Sequence, residues 1–176
     1  VHYPPGAFGQ NNLDIAERIV EHVREQVPAG ARVAEFYAGV GAIGLSVLPR
    51  VSRLRLIEIS PQSVQGLALG LEALAPVDLN KIEVIAGSAG TMASAALGAD
   101  VVIADPPRKG LDRELLQRLV ADPPGRFVYV SCGLDSFAAD TARLTASGAL
   151  RLRDLRAFNL MPYTEHVETV ACFERA

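Results

Sequence analysis

The 176-residue sequence contains no tryptophan and only two cysteines, and aromatic residues make up just 6% of it. Cys132 and Cys172 lie far apart in sequence, so they offer neither a disulfide framework nor the paired spacing of a zinc site. No metal is expected. No apolar run approaches the roughly 18 residues that a membrane-spanning helix needs. The N-terminus lacks the basic-then-apolar pattern of a signal peptide. Positive charge is not in surplus either: the net charge is −3, which excludes a global basic field for nucleic acid. These absences point to a cytoplasmic protein. The chain opens on Val1 rather than Met, which fits a domain excised from a longer protein.

What is present is a globular composition, 49% hydrophobic and dominated by Ala, Val, Leu and Gly, far from that of a disordered chain. The length suits one domain, 1–176. Residues 1 to 11 are rich in Pro, Gly and Asn and read as a loop. Asn12 is an N-cap candidate, and Ile15, Ile19, Val20, Val23 and Val27 share one face of a helix over 13–27. Strands are expected at 32–37, 54–59, 82–86, 100–104 and 127–131. Helices are expected between them: one ending at Leu48, then 61–74, 88–97, 111–120 and, after the last of these strands, 136–146. Two longer strands, 150–159 and 167–174, close the chain. Five short strands alternating with helices imply a mostly parallel sheet covered on both faces. The final pair implies an antiparallel edge hairpin. The expected fold is α/β, a Rossmann-like class I methyltransferase arrangement of seven strands.

Gly39, Gly41 and Gly44 satisfy G-x-G-x-x-G after the first strand, allowing a tight turn and close approach of a ligand to the backbone. That turn suits a nicotinamide cofactor as well as S-adenosylmethionine. Glu58, at the end of the second strand, is placed to accept from ribose hydroxyls and serves either ligand. Glu35, just before the turn, favours the methyl donor, whose methionine end is positively charged, over a pyrophosphate that it would repel.

Asp105-Pro106-Pro107-Arg108-Lys109-Gly110 is the most specific string in the chain. An acid followed by two prolines at a strand end fixes a rigid extended turn, holding a carboxylate and a carbonyl against a planar ring. Cys132 closes the run Phe127-Val128-Tyr129-Val130-Ser131. A thiol at the mouth of a buried strand sits where open α/β sheets place their ligands, and it is a candidate nucleophile. Its position ahead of a helix and near Arg108 predicts a lowered pKa. Cys172, in the middle of the last strand, reads as core.

Together Asp-Pro-Pro-Arg-Lys-Gly, Tyr129-Val130-Ser131-Cys132, the tail His166-Val167-Glu168-Thr169-Val170 and the opening Phe8-Gly9-Gln10-Asn11-Asn12 resemble the RNA uracil-C5 methyltransferase family, in that family's order and over essentially the whole chain. The resemblance implies methyl transfer from S-adenosylmethionine to C5 of a uridine in transfer or ribosomal RNA. It implies Cys132 as the nucleophile at C6, Glu168 as the base and Asp105 as an orienting group that also borders the donor. Gln10, Tyr37, Glu58 and, more loosely, Ser88 match positions that contact the donor. A flipped or single-stranded nucleotide is implied. RNA affinity is expected to rest on Arg108, Lys109 and Arg113, with Arg50, Arg53 and Arg55 as a second group. The RNA-binding barrel and cysteine-ligated iron–sulfur cluster common in this family have no matching residues in this chain, and a monomer is expected.

The chain departs from the family's Ser-Cys-Asn-Pro or Ser-Cys-Asp-Pro at Gly133-Leu134. Ala38 stands where Cys is common, and Ala42 where a donor-contacting Asn or similar residue is common. These changes leave room for a domain that binds donor and RNA without transferring a methyl group. A nicotinamide-dependent oxidoreductase is a third reading, disfavoured by Glu35, Pro106-Pro107 and the final hairpin.

Overall fold

The computed structural model describes residues 1–6, 12–160 and 167–176. Asn12 caps the first helix by accepting a hydrogen bond from the Ile15 amide at 3.3 Å. Helix α1 (Leu13–Gln26) buries Ile19 and Val23. Five parallel strands follow, β1 (Arg32–Phe36), β2 (Arg53–Glu58), β3 (Ile82–Ala86), β4 (Val101–Ala104) and β5 (Arg126–Ser131). Strands β6 (Leu150–Phe158) and β7 (Glu168–Arg175) are antiparallel. The helices after the first are α2 (Ala42–Val47), α3 (Pro61–Leu71), α4 (Pro76–Leu79), α5 (Arg113–Ala121) and α6 (Leu134–Thr145).

The sheet order is 3-2-1-4-5-7-6, with β7 inserted between β5 and the edge strand β6. Strand β4 is buried along its whole length, as a central parallel strand covered on both faces must be. Alternate side chains of the strands feed two apolar layers. One joins Val33, Leu54, Ile103 and Val128 to Ile19 and Val23 of α1. The other joins Phe36, Val102, Phe127 and Phe173 to Leu115 and Leu119 of α5 and Leu144 of α6.

The expected alternation is present, with two local differences. The segment 88–97 is not an α-helix; only Ala93–Ala96 form a short 3-10 turn. Its opening amides are diverted to side chains, Thr91 N–H to Ser88 Oγ at 3.1 Å and Gly90 N–H to Asp112 Oδ2 at 3.1 Å. Helix α3 ends at Leu71, and the chain then adds α4, which is not apparent in the sequence pattern.

Candidate active site

In an open parallel sheet the carboxyl ends of the strands form the natural ligand crevice. A cavity of about 700 Å³ opens there. It runs from the turn after β1, past the ends of β2 and β3, to the loops after β4 and β5 and the start of β7.

The turn after β1 is strained at its entrance. Tyr37 has φ of 61°, making it the only non-glycine with positive φ among the described residues. Its hydroxyl accepts the Asp112 amide at 2.9 Å, tying this turn to the loop after β4. Gly41 follows at φ 83°, a conformation open to glycine at little cost, and caps α2. Glu58 accepts three backbone amides: Gly39 at 2.7 Å on one oxygen, and Ile59 at 2.8 Å and Ser60 at 2.6 Å on the other. It therefore sets the spacing between the β1 and β2 turns before any ligand arrives.

Glu35 lines the cavity yet is only 1% exposed. Its Oε2 has no hydrogen-bond partner among the described residues. Burial, and next the charge of Asp105, push its carboxyl well above the usual range, and the Gly44 amide opposes them. An under-satisfied buried carboxylate is costly, and a cationic ligand group would relieve it. The glycine turn, Glu35 and Glu58 thus fit an adenosyl donor with a positively charged amino-acid end. Ser88 also lines the cavity, but its hydroxyl is already engaged with Thr91, 2.8 Å away.

At the other end, antiparallel pairing brings two of the sequence-predicted site residues together. Ser131 is in register with Thr169, so Cys132 and Glu168 are the next residues at the same end of adjacent strands. Thr169 Oγ1 donates to the Ser131 carbonyl at 3.2 Å and fixes that register locally. Asp105 follows the neighbouring β4, and all three residues line the cavity. Burial, then the charge of Glu168, lifts the Asp105 carboxyl to about 7. Burial also raises Glu168.

The expected lowering of the Cys132 thiol is not found. Burial, followed by the charges of Glu168 and Asp105, raises it, and Arg108 only partly opposes them. The sequence revealed Arg108 but not that two carboxylates on adjacent strands would face the same thiol. Cys172 is fully buried, as expected of a core residue.

Arg108 and Lys109 line the cavity, and Lys109 pairs with Asp112 at 2.9 Å. Arg113 is exposed in the first turn of α5, outside the cavity lining. The second arginine group is not part of the site. Arg53 and Arg55 lie on β2 towards the end opposite Glu58 and share Glu83, at 3.1 and 3.3 Å. Arg50 donates to the Arg24 carbonyl at 3.1 Å. Gln10, His166 and Phe8 lie outside the described residues. Asp112 is a site residue that sequence reading missed. It falls inside the helix expected over 111–120, whereas it precedes α5, lines the cavity and accepts from Gly90 and Lys109. Among the described residues no cluster of three or more His, Cys, Asp or Glu is placed to hold a metal ion, and no helix is long and apolar enough to cross a membrane.

Comparison with known proteins agrees with this arrangement. An RNA methyltransferase of Protochlamydia amoebophila, itself uncharacterized, is 39% identical over 98% of this chain and 45% of its own length. The tRNA (uracil(54)-C(5))-methyltransferase of Pyrococcus abyssi is 32% identical over 95% of this chain and 38% of its own. The crystal structure of the Pyrococcus abyssi tRNA (uracil-54, C5)-methyltransferase in complex with S-adenosyl-L-homocysteine superposes with a TM-score of 0.81 at 31% identity, covering 96% of this chain and 40% of that one. The methyltransferase domain of bacterial CtHen1, 12% identical with a TM-score of 0.71 over 93% of this chain and all of that one, shares the fold alone. The chain thus spans less than half the length of these two curated relatives. The tRNA (uracil-5-)-methyltransferase family model matches residues 2–176, and the chain belongs to that family.

Proposed function

We propose that this chain is the catalytic part of an S-adenosylmethionine-dependent RNA uracil-C5 methyltransferase, with Cys132 as nucleophile and Glu168 as base. The observation that carries the reading is the meeting of Cys132, Glu168 and Asp105 in the same cavity as Glu35, Glu58 and the glycine turn. The donor would lie across Glu35, Tyr37, Gly39, Gly41 and Glu58. When bound, it supplies an electrophilic methyl group on a sulfonium.

Carbon 5 of uracil is a weak nucleophile. Addition of the Cys132 thiolate to C6 moves the ring electrons towards the C4 carbonyl oxygen and makes C5 nucleophilic. Once C5 is methylated it carries one proton too many. Glu168 takes that proton, the S–C6 bond breaks with its electron pair returning to sulfur, and the aromatic ring is restored. A carboxylate raised by burial is a stronger base than one in water, which suits Glu168 to this step. Asp105, held by two prolines, borders both ring and donor. Arg108 and Lys109, which line the cavity, would meet RNA phosphates.

RNA containing 5-fluorouridine tests the mechanism, because fluorine replaces the proton that Glu168 must remove. The full-length protein with donor should form a denaturation-resistant RNA complex, lost in Cys132→Ala. Glu168→Gln should stall as the same complex on ordinary uridine RNA. Absence of any complex with the wild-type protein at saturating donor refutes the mechanism. The raised Cys132 thiol favours a second reading, a donor- and RNA-binding domain without transfer. That reading predicts donor binding by calorimetry with no label transferred to RNA.

A further inference from the structure

The turn after Cys132, Gly133 and the start of α6, packs directly against the loop after β4. Among the hydrogen bonds that reach the loop after β4 from outside, three hold its 108–112 backbone. Ser136 Oγ, in the first turn of α6, lies 2.8 Å from the Arg108 carbonyl and 3.0 Å from the Gly133 carbonyl. A hydroxyl has one proton, and the nearer acceptor is Arg108. One turn further along the same helix face, Asp140 Oδ2 accepts the Leu111 amide at 2.9 Å. The same oxygen accepts the Tyr129 hydroxyl at 2.9 Å, so β5 orients the carboxylate that holds the loop. The third bond is the Asp112 amide to Tyr37.

Two glycines make the contact possible. A Cβ on Gly133 would come within 2.7 Å of the Arg108 carbonyl oxygen. Gly110 has φ of 85°, and a Cβ there would come within 2.6 Å of Asp140 Oδ2. Asp140 is 5% exposed, so its bonds to Leu111 and Tyr129 are shielded from water.

We propose that Ser136 and Asp140 are positioning residues that latch the Asp105–Leu111 loop onto the turn carrying Cys132, making nucleophile and ring-binding edge one rigid unit. This rests on the methyl-transfer reading above. A displacement near 1 Å at a reacting centre costs on the order of 10²-fold in rate, which sets the scale expected for losing the latch.

The test uses Ser136→Ala, Ser136→Thr and Gly133→Ala in the full-length protein. Hydrogen exchange of the 108–112 segment should speed up at least tenfold in Ser136→Ala and Gly133→Ala, with β4 and β5 unchanged. The rate of complex formation with 5-fluorouridine RNA should fall about 10- to 100-fold in both, while donor affinity stays within twofold. Ser136→Thr, which keeps the hydroxyl, should recover to within threefold of wild type. Unchanged exchange in Ser136→Ala overturns the latch whether or not the protein methylates RNA. Faster exchange with an unchanged complex-forming rate overturns the positioning role. A wild type that forms no complex, yet shows the exchange difference, counts against the methyl-transfer reading and leaves the latch supported.

Discussion

Asp105→Asn should make the folded protein more stable at pH 8 and leave it nearly unchanged at pH 4. Burial and the charge of Glu168 lift the Asp105 carboxyl from 3.8 to about 7 in the folded chain. The folded state therefore holds its proton more tightly than the unfolded state does. Stability from this group is fully present below the unfolded value and is lost as pH rises to about 7, where the folded carboxyl must ionise in place. At 1.36 kcal/mol per pH unit the full penalty is about 4 kcal/mol. The side chain is only partly sealed and faces an open cavity, so water screening reduces this to about 2 kcal/mol. Against a typical total of roughly 5–15 kcal/mol that is easily measured. Urea unfolding of wild type and variant at pH 4, 6 and 8 should show a gap that grows by about 2 kcal/mol in favour of asparagine. A gap constant to within about 0.5 kcal/mol across that range refutes the argument. The result would mean that the site is kept at a cost in stability, as expected of a cavity that gathers like charges.

Other parts of the site give sharp outcomes. Gly44→Ala sets a methyl group against Glu35 Oε2 and Leu56 Cδ2; it should cost about 1–3 kcal/mol by overpacking and abolish donor binding measured by calorimetry. Tyr129→Phe removes a buried donor to Asp140; a loss of about 1.5–3 kcal/mol is expected, with a fall in Tm of about 4–10 °C in a thermal scan. Alkylation of Cys132, followed by peptide mass spectrometry because Cys172 is buried, should have a midpoint above the ordinary cysteine value of about 8.5. That midpoint should fall in Glu168→Gln, and no change between the two proteins would show that the carboxylate does not act on the thiol.

The elements were legible wherever apolar period and turn chemistry agreed. Asn12, Pro61 and the β-branched runs of β4 and β5 each carried a local signal that the packing then honoured. The segment 88–97 misled because its alanines suit a helix, while the partner that captures Gly90, Asp112, lies 22 residues away. The same limit governs the site. The glycine turn, Glu58, Asp105 and Cys132 are strand-end residues, so recognising the strands was enough to place them in one crevice. Charge in that crevice is a different matter. Arg108 is three residues from Asp105 and was visible as a cation that could ease ionisation of a thiol. Glu168 reaches Cys132 only because β7 pairs antiparallel with β5 in the Ser131–Thr169 register. A slip of one residue would send Glu168 to the other face and remove it from the thiol.

The raised thiol also bears on how the proposed chemistry must proceed. Cys132, Asp105 and Glu168 share one cavity with Glu35 and Glu58, and the charges of Glu168 and Asp105 disfavour a thiolate. A cationic donor held by Glu35 and Glu58 would offset that charge and ease deprotonation of Cys132. The prediction is that the alkylation midpoint of Cys132 falls when S-adenosylmethionine is added, while the uncharged thioether analogue S-adenosylhomocysteine, which lacks the sulfonium charge, lowers it less. Equal effects of the two ligands would assign the change to excluded water rather than to charge.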